Sequence, residues 1–565
     1  MKVTTYISKF LKSKGIDTVF ELQGGMITRI IDELYLQGDI RIVSMHHEQA
    51  AAFAVDAYAR STNKPGVALA TSGPGATNLI TGIGSCFFDS VPAIFITGQV
   101  NLNEQKGDKN TRQIGFQETD IIRIIKPITK AAYAIKNANE IPAVFEDAYQ
   151  IATEGRPGPV VIDIPMNLQL SEIEDEAFLL SKKNHAPQKE EIDSFIDELF
   201  LALKNSKKPL ILAGRGVRAS GSIKLFEGVI EKFDLLVVTS LLGFDSISYN
   251  NPNRVGFIGT YGNRWANYAL SNCDVLLVLG SRLDLRQTGA DVESFKKGKK
   301  IFHVDIEEAE LNNRITDCFV LKSDLKDFFG QALNLHKFTL DISLWKKKIE
   351  EKYKEKNDID ELNNISGINP NIFIHQLSKV SKQAKVITTD VGNNQMWAAQ
   401  SYELEKDQLF LSSGGMGAMG YSLPAAIGSC IASENSPVIA ITGDGGFQIN
   451  IQELETIKRN NLPVKIIVLN NHCLGMIRQF QDSYFESRYQ STVWEYGSPD
   501  FVAVAKAYGI DGVSINTNDE IAFGLDQLWS KRNEPFLLNV TIDIHTNVFP
   551  KLVFGNPLSK MDPEL

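Results

Sequence analysis

Cysteine is scarce and scattered. Cys86, Cys273, Cys318, Cys430 and Cys473 are the only five in 565 residues, and no two form a C-x-x-C pair. A zinc framework or disulfide scaffold is therefore excluded as the organising principle; isolated cysteines of this kind act as small apolar fillers. Positive charge is also in short supply. Lys plus Arg total 58 against 68 Asp plus Glu, a formal net charge of -10, which is the wrong sign for a nucleic-acid surface. No apolar run approaches the roughly 20 residues that span a bilayer. The opening Met1-Lys2-Val3-Thr4-Thr5-Tyr6 lacks an apolar signal core. A cytoplasmic protein with no nucleic-acid or membrane partner is expected. Short-period repeats, low-complexity tracts, a P-loop and a G-x-S-x-G elbow are all missing, and His47-Glu48 fails as H-E-x-x-H because Ala51 stands at the second His position. Solenoids, P-loop NTPases, α/β-hydrolases and zincins drop out accordingly.

What remains is ordinary globular composition, 43% hydrophobic and 22% charged. At roughly 100–200 residues per domain, the length allows three or four domains. Short apolar runs such as Gly66-Val67-Ala68-Leu69-Ala70 end in Gly or Asp, and amphipathic stretches such as 48–60 alternate with them. This alternation predicts an α/β chain of parallel sheets covered by helices. Two charged segments interrupt it: 171–192, and the Lys/Glu-rich 338–368, which reads as an exposed helix plus linker. They predict domains at 1–170, 190–335 and 366–545, with a C-terminal tail over 546–565.

The most informative stretch is 437–471. Val438-Ile439-Ala440-Ile441-Thr442 reads as a buried strand ending in Gly443-Asp444-Gly445-Gly446; a helix with apolar positions Ile449, Leu454 and Ile457 follows, then a second strand, 464–469, ending in Asn470-Asn471. One βαβ unit of minimal length makes the two strands parallel and close. Asp444 and Asn471 (471 − 444 = 27 apart) then sit at carboxyl strand ends, where open α/β sheets bind ligands. Asp and Asn offer hard oxygens that suit Mg²⁺ or Ca²⁺. Gly445 and Gly446 let backbone N–H groups approach an anion at a helix start.

With its flanking text Ile451-Gln452-Glu453-Leu454, Asn461-Leu462-Pro463-Val464-Lys465 and Leu474-Gly475-Met476, this pair resembles the thiamin-diphosphate motif of the acetolactate synthase (acetohydroxyacid synthase) catalytic-subunit family. The resemblance runs over nearly the whole chain. It implies three doubly wound parallel-sheet domains: pyrimidine-binding, central and diphosphate-binding. It implies Mg²⁺ held by Asp444, Asn471 and the backbone carbonyl of Cys473. Asn393 and Asn394 fall where the family contacts the diphosphate, usually with Gln-His. The carbonyl of Gly417 matches the partner of the cofactor's 4′-amino group, and Met419 the wedge that bends the cofactor. Thr71–Asn78, with Gly73 and Asn78, matches a loop approaching the cofactor. Homodimers or homotetramers with sites shared between subunits are implied as well.

The thiazolium C2 must lose a proton to become a nucleophile, which requires a carboxylic acid in an apolar setting at the aminopyrimidine N1′. Glu48 follows the apolar Ile42-Val43 and opens an Ala-rich helix. A Glu at a helix start is more often a dipole-favoured surface residue; the match to the family's cofactor glutamate is what assigns it. In the central region Gly214-Arg215-Gly216-Val217-Arg218-Ala219 forms a G-x-G-x-x-A turn, a weak dinucleotide signal alone. Gly280–Gly289 with Arg286, His303–Ile306 with Asp305, and Ser323-Asp324 match the family's FAD pattern. FAD is expected, in a structural role.

Phe116-Gln117 matches the family's active-site pair. Elsewhere near the implied substrate pocket the chain departs. The family's Gly-Tyr-Pro-Gly-Gly reads Glu21-Leu22-Gln23-Gly24-Gly25, a lysine is replaced by Met166, a methionine by Thr260, an Asp by Leu285, and the acceptor-selecting tryptophan by Phe480. Gly25, Phe116, Gln117 and Phe480 join Glu48 as candidate catalytic residues. Pyruvate is the expected donor. Loss of a cation at Met166 and a smaller ring at Phe480 favour a carbonyl acceptor without a carboxylate, such as the nucleotide-linked keto sugars of branched-sugar (yersiniose-type) carboligases. A genuine acetolactate synthase and a pyruvate oxidase stay open as alternatives. An NAD dehydrogenase would leave Asp444 and Asn471 unexplained, and retention of Glu48 argues against a non-catalytic member.

Overall fold

The computed structural model describes residues 1–173, 189–337 and 339–564; most of the charged segment 171–192 lies outside them. Three six-stranded sheets follow one another along the chain, and every strand pair within them is parallel. The inner strands read as continuous apolar runs because both faces are covered: Pro209–Ala213, Val275–Leu279 and Gly66–Ala70 are buried at every position.

Numbered within each sheet, the first and third share the order 2-1-3-4-6-5, and the central one runs 6-5-4-1-2-3. The central order reverses once, and the other two reverse at the same kind of point and fold back again at their last strand; the crevice between the two halves of such a sheet is where ligands bind. In the first sheet it lies between Thr18–Leu22 and Gly66–Ala70, in the central one between Pro209–Ala213 and Val275–Leu279, and in the third between Val386–Thr389 and Val438–Gly443.

The first and third units share one core. The helix Glu48–Thr62 is buried nearly all round and packs on Ser422–Ala432. Both helices carry small residues at the crossing, where a Cβ on Gly428 would lie 2.1 Å from the Ala54 carbonyl oxygen; on another side of Glu48–Thr62 the helix Ile80–Phe88 packs as closely, a Cβ on Gly82 lying 2.1 Å from Ala52 Cβ. The Lys/Glu-rich segment is more than an exposed linker: its helix Ser343–Glu355 buries Trp345 and Ile349 against the central unit. The C-terminal stretch also folds back, pairing Lys551–Leu552 with Met561–Asp562 and burying Leu558 in that same core. Among the described residues no helix is long and apolar enough to cross a membrane.

Candidate active site

The βαβ unit forms with Gly443 opposite Leu469 in register, so Asp444 and Asn471 emerge side by side at the carboxyl edge of the third sheet. The connecting helix is two pieces, Asp444–Ile449 and Glu453–Arg459. The break turns Ile449 outward, while Leu454 and Ile457 reach the core as expected. Asn450 sits at the break and donates from its amide to the Gly420 carbonyl, 2.7 Å away.

Three oxygen-bearing groups converge here. The Asn471 side-chain amide lies 3.1 Å from Asp444 Oδ1 and 2.8 Å from the Cys473 carbonyl oxygen. With its NH₂ inward it bridges both; with its oxygen inward the trio is a hard-oxygen set of the kind Mg²⁺ takes. The left-handed backbone at His472, φ 53°, brings Asn471 and the Cys473 carbonyl to the same side. Tyr496 Oη donates to the other Asp444 oxygen at 2.9 Å. Burial pushes the Asp444 carboxyl up to about 7, against the hydrogen bond from Tyr496; a dication beside it would favour the carboxylate.

Polar atoms without partners surround this trio. Both side-chain heteroatoms of Asn393 and the Asn394 oxygen are buried and unsatisfied among the described residues. Such groups need a ligand or water. Gly475 admits Asn393 and Asn471, whose amide nitrogens would lie 2.6 and 2.4 Å from a Cβ there. Gly445 lies under Met419, whose Cε would be 3.3 Å from a Cβ at that position. Gly446 abuts Asp390, which accepts from the backbone N–H of Gly420 at 2.9 Å and of Ser422 at 3.1 Å. Gly417, at φ 63°, is exposed with open space over its Cα.

The first sheet's crevice gathers the other candidates. Glu48, buried at the start of its helix, accepts from Asn78 Nδ2 at 3.0 Å, and its Oε1 would lie 3.1 Å from a Cβ on Gly75. Gly73, at φ 62°, lies against Gln117, itself left-handed at φ 66°. Gly24 presses on Thr71, leaving Gly25 open to solvent. Phe116 is 79% exposed. Behind this loop Asp163 accepts from Thr97 at 2.6 Å and Gln99 at 2.9 Å, and Gln99 also donates to the Thr119 carbonyl. No hydrogen bond joins Glu48 to the third unit among the described residues.

Phe480 lies on the helix Gly475–Tyr484 and lines an open groove with Phe485, Arg488 and Trp494. That helix is anchored by Gln479, which exchanges two hydrogen bonds with the Val548 backbone. Met166 is partly buried, and Arg29 Nη1 donates to its carbonyl at 3.3 Å.

The central crevice opens into a cavity of about 770 Å³ lined by Gly216, Arg286, Asp305 and Asp324 among others. The glycines have a packing reason: a Cβ on Gly216 would lie 2.6 Å from Gly280 Cα, and one on Gly214 2.2 Å from the Gly280 carbonyl oxygen. Gly214 and Gly216 spend their N–H groups on Leu279 and Gly280, so they shape the wall without offering amides to a ligand. Gly214 supports that wall from behind. Arg215 also lines the cavity; it makes no ion pair among the described residues, its Nε lacks a partner, and burial pulls its guanidinium down to about 10. A cation so placed fits an anionic ligand such as a dinucleotide diphosphate.

Sequence reasoning missed Tyr496, Asp390 and Asp163, which carry no local motif. Comparison with known proteins places these crevices in a family. Residues 1–124, 196–331 and 390–540 match the thiamine pyrophosphate enzyme N-terminal TPP-binding, central and C-terminal TPP-binding domains. The acetolactate synthase large subunit of Lactococcus lactis is 36% identical over 96% of this chain and 93% of its own length. The acetolactate synthase isozyme 2 large subunit of Escherichia coli is 34% identical over 99% of both. A probable acetolactate synthase large subunit of Methanocaldococcus jannaschii is 38% identical over 96% of this chain and 92% of its own length. The chain is thus an enzyme that depends on thiamin diphosphate and Mg²⁺, and it belongs to the acetolactate synthase large-subunit family.

Proposed function

We propose that the enzyme decarboxylates pyruvate and joins the two-carbon unit to a carbonyl acceptor. Residues 1–170, 190–335 and 366–545 serve as pyrimidine-binding, central and diphosphate-binding domains. The observation that carries this reading is the convergence of Asp444, Asn471 and the Cys473 carbonyl beside the unsatisfied Asn393 and Asn394. Thiamin diphosphate supplies the carbanion chemistry when bound. Asp444, Asn471 and Cys473 would hold its Mg²⁺, and Asn393, Asn394, Gly445 and Gly446 its diphosphate. Met419 would support the cofactor, the Gly417 carbonyl would receive its 4′-amino group, and Glu48 would hold the proton at its N1′. Asn78 holds Glu48 through its amide, and with Gly73 it belongs to the loop that approaches the cofactor. Gly25, Phe116, Gln117 and Phe480 line the space over the reacting carbon.

Glu48 and Asp444 work together when two copies associate, so a homodimer is the minimum unit and a homotetramer is compatible with it. Exposed apolar side chains at these edges, Phe116, Met416, Ile449 and Phe480, support association there. The 770 Å³ cavity would hold FAD as a structural group; of its lining residues Arg215 and Arg286 would supply charge for its diphosphate, and Asp305 and Asp324 would supply acceptors.

For the acceptor we favour a carbonyl compound without a carboxylate, on the apolar Met166 and the aromatic groove at Phe480. The Arg29 guanidinium beside Met166 favours a second reading, a 2-oxo acid acceptor as in acetolactate synthesis. Mass spectrometry of products from labelled pyruvate, with and without added carbonyl acceptors, separates the two. Absence of any labelled carboligation product would overturn the carboligase assignment itself.

A further inference from the structure

The glycine loop 414–420 is held at its two ends by two carboxylates from different units. At its C-terminal end Asp390, of the same unit, takes the N–H of Gly420. At its N-terminal end the clamp comes from 325 residues away: Asp89 Oδ2 accepts from Gly414 N–H at 2.9 Å, and Asp89 Oδ1 from Gly415 N–H at 2.6 Å. Asp89 is 1% exposed and is itself paired with Arg60, whose Nη2 lies 3.0 Å away. Arg60 also pairs with Asp56 at 2.8 Å and donates to the Ser412 carbonyl at 3.0 Å, and Tyr421 Oη donates to Asp56 at 2.7 Å. Leu242 of the central unit packs on Gly414. Gly417, midway between the clamps, has open space around it.

We infer that Asp89 is a positioning residue for cofactor activation: by gripping the Gly414 and Gly415 amides it fixes where the Gly417 carbonyl stands. This rests on the reading of Gly417 as the 4′-amino partner. Two N–H groups converging on one carboxylate leave the loop little freedom to slide, and charge-assisted bonds of this kind are the strong ones. Asp89 also lines the FAD-type cavity, and with Leu242 packed on Gly414 the three units meet at this loop.

The test is Asp89→Asn in the full-length enzyme, which keeps size but turns one acceptor into a donor facing an N–H. Hydrogen–deuterium exchange of the protein without added cofactor should show faster exchange in peptides covering Gly414 and Gly415. With thiamin diphosphate and Mg²⁺ bound close to the wild-type affinity, cofactor C2–H exchange should slow about 10-fold or more, the size of one lost charge-assisted hydrogen bond. Tyr421→Phe, which loosens the same network at Asp56 and leaves the Asp89 grip on Gly414 and Gly415 untouched, should lower thermal stability and leave C2–H exchange unchanged. Wild-type C2–H exchange in Asp89→Asn overturns the inference. So does an equal slowing in Tyr421→Phe, because the network would then act through stability alone. If Asp89→Asn does not fold, Arg60→Lys is judged by the same two criteria. C2–H exchange needs neither pyruvate nor acceptor, so failure here is distinct from failure of the carboligase reading.

Discussion

A carboxylate in the first turn of a helix normally faces water and the helix dipole favours its charge; Glu48 is instead 6% exposed, with Asn78 as its donor. Glu48→Gln keeps an oxygen for Asn78, so folding and cofactor affinity should persist, while C2–H exchange and turnover fall by about 10²-fold through loss of acid–base function. NMR of the C2 proton after acid quench checks this. At the other edge Asp444→Ala should abolish Mg²⁺-dependent retention of thiamin diphosphate, and Asn471→Ala should weaken it less, since an amide brings no net charge. Tyr496→Phe removes one hydrogen bond to the carboxylate and should cost up to about 10-fold in retention, all three read by calorimetry. Asp444 and Asn471 were legible in the sequence because one short βαβ unit carries both. Tyr496 was not, because it reaches the site from the irregular stretch between Tyr484 and Phe501, where no periodicity marks a side chain's direction.

Among elements, the inner strands were the easiest to read, since burial on both faces makes them apolar runs that end in a turn residue. Helix contacts were harder. Nothing in the Lys/Glu-rich segment announced that Trp345 and Ile349 face a core, and the break at Asn450 depends on a carbonyl 30 residues away. The crossing of Glu48–Thr62 with Ser422–Ala432 relies on absent side chains. Gly428→Ala would gain helix propensity but press a methyl onto the Ala54 carbonyl, so a net loss of about 1–3 kcal/mol and a lower Tm are expected by calorimetry. The helices Pro370–Val380 and Asn393–Ser401 are tied through His375, whose ring bonds Asp358 at 2.8 Å and Glu403 at 2.9 Å, and Ser401 also bonds Asp358. Burial disfavours the charged ring, but the two carboxylates outweigh it and raise its pKa. The folded state therefore binds the extra proton, and the stabilisation is complete below the unfolded value of about 6.5 and is lost as pH rises through the folded one. His375→Gln should flatten that part of the stability–pH curve.

At the scale of the whole molecule, the sequence showed three α/β units but not how they lock together, because Asp89, Arg60 and Tyr421 meet partners hundreds of residues away. Acceptor choice belongs to this scale too, since the residues proposed to surround the acceptor come from the first unit (Gly25, Phe116, Met166) and the third (Phe480). A carboxylate on the acceptor would gain about 1.5–3 kcal/mol from a fixed cation, or about 10–100-fold in preference. Met166 offers none, and Arg29 is spent in part on the Met166 carbonyl. The wild type should thus make little acetolactate from pyruvate alone and transfer its two-carbon unit better to a ketone or aldehyde without a carboxylate. Met166→Lys with Phe480→Trp should shift product toward acetolactate. Arg29→Met separates the two acceptors further. If Arg29 receives an acceptor carboxylate, its loss should raise the KM for pyruvate as acceptor about 10-fold or more and leave non-carboxylate acceptors unaffected. If it only braces Met166, both acceptors should respond alike. Faster conversion of pyruvate alone to acetolactate than of any non-carboxylate acceptor, together with that selective Arg29 effect, would assign the acceptor site to 2-oxo acids instead.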